Sequence, residues 1–188
     1  GGSRKPCVKS IGVTSAFGAD KGLTGVLDIL EGSAGFGAAL ANGPDWSKAT
    51  DGLGSRFNIQ SVTVKNHGCC GHTFASIDGL LALRQQHGFD MQAIERIEIR
   101  TYAVAVEVAG IRAPQSPFEC KFSIPYVVSH AAKYGSVRLA AFDTGRIFEE
   151  DLRALMPHIQ LEADSELTSK FPNMRAARVR VHLKSGQV

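Results

Sequence analysis

A chain of 188 residues is long enough to bury one sizeable core, or one domain and a piece of another, and its 44% hydrophobic and 21% charged residues are those of an ordinary globular protein. The formal net charge is only +3, and the basic residues are scattered rather than striped among aromatics, which argues against nucleic acid as a partner. Apolar stretches such as 103–110 are too short for a bilayer span and the N-terminus lacks an apolar signal core, so the expectation is a cytoplasmic or organelle-matrix protein with no membrane partner.

In chain order, 8–19 and 24–31 read as short helices separated by the Asp20-Lys21-Gly22 break, with 35–41 as a possible third. Residues 43–54 carry Gly43-Pro44, Asp51-Gly52 and Gly54 and read as a linker. A strand is expected at 60–66, a helix at 73–87 stopped by Gly88, and a strand at 95–101. A polar loop with prolines fills 110–117, a helix spans 122–134 before Gly135, and a short helix covers 149–156. In 177–183, Val179, Val181 and Leu183 alternate with Arg178, Arg180 and His182, the pattern of a strand with one buried face. One-sided strands belong in an antiparallel sheet with helices on one face. The expected fold class is therefore α+β, a two-layer domain over 54–188 preceded by a short all-α segment over 1–53. Lys184-Ser185-Gly186-Gln187 reads as a hairpin turn, and the chain reads as a fragment of a longer protein.

The densest chemistry is in Lys65-Asn66-His67-Gly68-Cys69-Cys70-Gly71-His72-Thr73, between the expected strand and the expected helix. Backbone N–H groups at a helix start are unpaired and carry partial positive charge, so such a turn can hold a carboxylate while Lys65 and the histidines supply charge and proton transfer. This points to an acidic substrate. Cys69 and Cys70 can be read as nucleophiles, since a thiol at a helix start has a depressed pKa, but burial is the commoner fate of a free cysteine. Adjacent cysteines close a strained ring, which speaks against a disulfide framework. A zinc site built from His67, one cysteine and His72 is a weak reading, because Cys-Cys lacks the spacing that lets two thiolates reach one ion, and no metal is expected.

These residues also carry a resemblance. Lys65, Cys69-Cys70 and His72-Thr73, followed by Ile77-Asp78, resemble the signature of the MmgE/PrpD family, which includes 2-methylcitrate dehydratase, cis-aconitate decarboxylase and iminodisuccinate epimerase. Gly22-Leu23-Thr24-Gly25 through Gly35-Phe36 is similar to a second family run, and Cys120-Lys121-Phe122-Ser123-Ile124-Pro125-Tyr126 to a third. A weaker match begins at Phe171-Pro172. The resemblance implies the end of a helical domain followed by a lid domain. It implies Lys65, His72 and Tyr126 as catalytic residues, with Cys70, Gly71 and Lys121 binding substrate. It further implies a cofactor-independent hydro-lyase acting on a small polycarboxylate, homodimeric at full length, with epimerase, decarboxylase and non-catalytic assembly module as alternatives. His67, His130 and, as a lone tyrosine, Tyr126 also have plain structural readings.

Overall fold

A computed structural model describes residues 8–188, which divide into two compact units between Val62 and Thr63. In the first unit, helix α1 spans Val8–Asp20 and helix α2 spans Phe36–Leu40. The helix expected over 24–31 is instead a run of turns. Gly25 interrupts it, Gly32 follows it directly, and Gly22, with φ of +87°, turns the chain just ahead of it. Of the described residues in this unit only Gly35 and Gly37 are buried, while Phe17, Leu23, Val26, Leu27 and Leu40 are exposed.

The second unit contains the sheet. Helix α3 (Phe74–His87) ends at Gly88, whose positive φ of 66° closes the last turn, and strand β1 (Ile94–Thr101) follows. Helices α4 (Ala103–Ala109), α5 (Pro117–Cys120), α6 (Ile124–Tyr134) and α7 (Glu150–Leu155) lead to strand β2 (Ile159–Ala163). Helix α8 (Ser165–Lys170) and strand β3 (Ala177–Leu183) complete the chain's regular elements. The sheet has three strands in the order β2-β1-β3. Ile97 in the central strand faces Ile159 across a parallel pairing and Val181 across an antiparallel one.

The α+β class therefore holds, but the sheet is mixed rather than antiparallel. The parallel pairing follows from the helices between β1 and β2, because only such a crossover returns the chain in the same direction. Ile97, Ile99, Ile159, Leu161 and Val181 share a buried face and join one core with Leu80 of α3 and Val127, Val128 and Ala131 of α6. The opposite face is charged, with Glu98 paired to Arg96, Arg180 and His182. The strand expected at 60–66 is absent: a 3₁₀ turn spans Asn58–Ser61 and the chain then runs without a ladder partner, leaving Val62 and Val64 exposed. Alternation alone does not make a strand when no neighbouring edge supplies hydrogen bonds.

Candidate active site

The loop from Lys65 to Thr73 is tied down on both sides. Gly68 N–H donates to the Val137 carbonyl at 3.0 Å and Cys70 N–H to the Lys121 carbonyl at 3.0 Å. Arg138 donates from Nη1 to the Asn66 carbonyl at 2.6 Å, and Lys65 Nζ reaches the Cys69 carbonyl at 3.3 Å. Gly68 allows a close approach, since a Cβ there would lie 3.2 Å from the Arg138 carbonyl carbon and press on that backbone. After Cys70 the chain enters a 3₁₀ turn, Gly71–Thr73, that runs directly into α3. By position, the first N–H groups of that turn lack intrahelical acceptors.

Two open grooves flank the loop, and Lys65 lines both. The first, about 730 Å³, is also lined by His67, Cys70, Lys121 and Arg138. The second, about 640 Å³, is lined by Gly71, His72, Asp78, Tyr102 and Arg175. Each is roomy enough for a small polycarboxylate and each presents at least two cationic side chains. Lys121 Nζ lies 5.4 Å from the Phe142 ring centroid, an attraction that steadies its stem against the core. Arg175 rests against the loop backbone, with Nη1 3.6 Å from where a Cβ of Gly71 would be.

His72 and Tyr102 meet at 2.7 Å between Nδ1 and the hydroxyl oxygen. Burial, with the nearby Arg175 guanidinium adding to it, pushes the His72 pKa below its ordinary value, so the neutral ring is favoured. His67 is buried and its Nε2 lies 2.8 Å from Asp78 Oδ1, with the ring edge against Phe74. Cys69 is also buried; its sulfur lies 3.0 Å from the Thr73 hydroxyl and desolvation pushes the thiol up to about 11. That environment keeps it protonated and favours the packing reading over the nucleophile. His67, Cys69 and His72 thus face separate partners, and among the described residues no group of three His, Cys, Asp or Glu side chains has metal-binding geometry.

The structure brings Lys65, Cys70 and Lys121 to one groove and Lys65, Gly71 and His72 to the other. It does not bring Tyr126 to either. That side chain is fully buried in α6, its hydroxyl donates to the Ala141 carbonyl, and desolvation raises its pKa. Tyr126 is thus held in the core and lines neither groove. His130, four residues on, is likewise buried and bonds the Ser136 carbonyl at 2.8 Å through Nδ1, in keeping with its structural reading.

Tyr102, Arg138 and Arg175 escape a reading of the sequence, because each reaches the loop from a distant segment with no local motif. Asp78 had a signal, being the acid of the Ile77-Asp78 pair, one helical turn from Phe74.

Fold and loop together define a helix-backed α+β domain that presents cations beside an imidazole. The chain belongs to the MmgE/PrpD family: the family's C-terminal domain, MmgE/PrpD C-terminal domain, matches residues 67–188. Members of that family are generally lyases or related enzymes. No curated protein matches the chain. Among the described residues, no helix is long and apolar enough to cross a membrane.

Proposed function

We propose that this domain supplies the cationic half of the active site of a cofactor-independent hydro-lyase of the 2-methylcitrate dehydratase type. The observation that carries the reading is the placement of Lys65 between two grooves, with Lys121 and Arg138 on one side and His72 and Arg175 on the other. A carbanion beside a carboxylate is unstable unless cations and hydrogen-bond donors are already in place, and fixed charges there cost no reorganisation during the reaction. Lys65 with Arg175 or Lys121 would hold substrate carboxylates, making the neighbouring C–H more acidic. Removal of that proton and departure of hydroxide from the adjacent carbon forms the double bond and, in sum, one water.

His72 lines the same groove as Lys65 and Arg175 and, as a neutral ring, offers the substrate a hydrogen bond rather than a base. An epimerase would share the first step and return the proton to the opposite face; a decarboxylase would instead lose carbon dioxide. The proposal takes the full-length protein to be a cytoplasmic homodimer that completes the site with further acid–base groups.

The test is ultraviolet detection of unsaturated acid formed from 2-methylcitrate and citrate-like acids, using this chain and longer forms of it. Formation of the acid by a longer form, abolished by Lys65→Ala, supports the reading. Activity that survives Lys65→Ala within a few-fold overturns it.

A further inference from the structure

The surroundings of His72 assign it a particular tautomer. We propose that Tyr102 is a positioning residue that donates its hydroxyl proton to His72 Nδ1, fixing the ring as the Nε2–H tautomer and making Nε2–H a hydrogen-bond donor to a substrate carboxylate in the groove of Lys65 and Arg175. The inference deepens, and rests on, the reading of that groove as a polycarboxylate site.

The argument begins with hydrogen-bond supply. Tyr102 is 1% exposed, so its hydroxyl proton needs an acceptor inside the protein, and among the described residues the only partner within reach is His72 Nδ1 at 2.7 Å. If Nδ1 carried a proton instead, two donors would face each other or the tyrosine proton would be left unpaired in a buried place, which costs about 1–3 kcal/mol. The phenol stays protonated, because desolvation raises its pKa. Nδ1 is therefore the acceptor. In a neutral imidazole the proton then resides on Nε2.

The geometry is held from several sides. Phe171 stacks on Tyr102 with centroids 4.8 Å apart and planes 13° apart, and the same ring lies 6.1 Å from His72. Tyr102 meets the His72 ring edge-on at 5.6 Å. The charged groups facing the pair are Arg175, Lys65 and Asp78, all lining the same groove. A neutral imidazole N–H is an effective donor to an oxygen that gains charge, provided its protonated form is suppressed. Burial and Arg175 supply that suppression.

The experiment is nitrogen NMR of the chain labelled at histidine, followed across pH in the original protein and in Tyr102→Phe. In the original, His72 should show a protonated Nε2 and a hydrogen-bonded Nδ1 that stays unprotonated to lower pH than a free imidazole does. Phenylalanine preserves the stacking on Phe171, so Tyr102→Phe should release His72 to a mixture of tautomers while the other histidine signals stay in place. A protonated Nδ1 in the original protein overturns the proposal, and so does a His72 spectrum unchanged by Tyr102→Phe. The original protein alone decides the first point, so the result does not depend on the variant folding. Titration with citrate then separates the two readings. A fixed tautomer without any citrate-induced shift at Nε2, in this chain and in a longer form that completes the site, would keep the tyrosine's positioning of the ring, and would overturn both its use as a carboxylate donor and the polycarboxylate reading of the groove.

Discussion

Lys65 and Tyr126 both fall in family-like motifs, and their surroundings separate them. Lys65 is exposed beside two grooves and tethered, among the described residues, only by its bond to the Cys69 carbonyl, so its charge is available to a ligand. Replacing it with alanine should lower kcat of the full-length enzyme by roughly 10²–10³-fold, the usual cost of one preorganised charge-stabilising donor, while leaving the melting temperature of this chain unchanged. Tyr126 predicts the reverse. Tyr126→Phe keeps the ring in the core but removes the donor to the Ala141 carbonyl, so unfolding in urea should show a loss of about 1–3 kcal/mol with turnover within a few-fold of the original. Loss of turnover with stability intact would return Tyr126 to the catalytic set.

At the scale of elements, legibility followed the strength of local signals. Helix α3 was readable because Phe74, Ile77, Leu80 and Leu81 repeat at helical spacing and Gly88 stops it. Helix α6 has a comparable start: Ser123 accepts from Tyr126 N–H at 3.2 Å as N-cap and also donates to the Ile111 carbonyl at 2.6 Å. Two changes test these boundaries by chemical denaturation. Ser123→Ala should cost about 1–2 kcal/mol, since cap and loop anchor are lost together. Gly88→Ala should cost about 1–2 kcal/mol from backbone strain alone, because its φ is +66° and nothing lies within 4 Å of the added carbon. Strand β2 was not legible. Ile159-Gln160-Leu161 offers only one alternation after Pro157, and its pairing with β1 is decided by the helices that intervene. The site divided the same way. Lys65, Cys70 and His72 were visible in one contiguous motif, whereas Arg138 and Arg175 reach the loop only through folding.

The molecule as a whole should be most stable between about pH 6.5 and 9, for reasons lodged in its buried titratable groups. His130 is 2% exposed and burial holds its pKa below the ordinary 6.5; His72 is displaced the same way. A depressed folded-state pKa contributes stability that is present above the unfolded value and is lost as pH falls through the folded one. Below about pH 6.5 the unfolded chain takes up protons that these rings resist, at up to about 1.4 kcal/mol per pH unit for each ring. The thiols act at the other end. Desolvation pushes Cys69 and Cys120 from 9.0 up to about 11, so their contribution is present below pH 9 and is lost as pH rises from 9 toward 11. Tyr126, raised from 10.0, extends that loss to higher pH. Below about pH 4.5 a further loss begins, because hydrogen bonds from Lys133 hold the Glu149 and Asp151 carboxyls below their ordinary values and protonation breaks those bonds. Urea midpoints measured at pH 5, 7.5 and 10.5 should therefore peak at 7.5. His130→Gln, which removes the more buried of the two rings on the acid side, should flatten the slope between pH 5 and 6.5 and leave the alkaline slope unchanged. An acid slope that survives that substitution would place the uptake of protons elsewhere, with His72 the first residue to replace next.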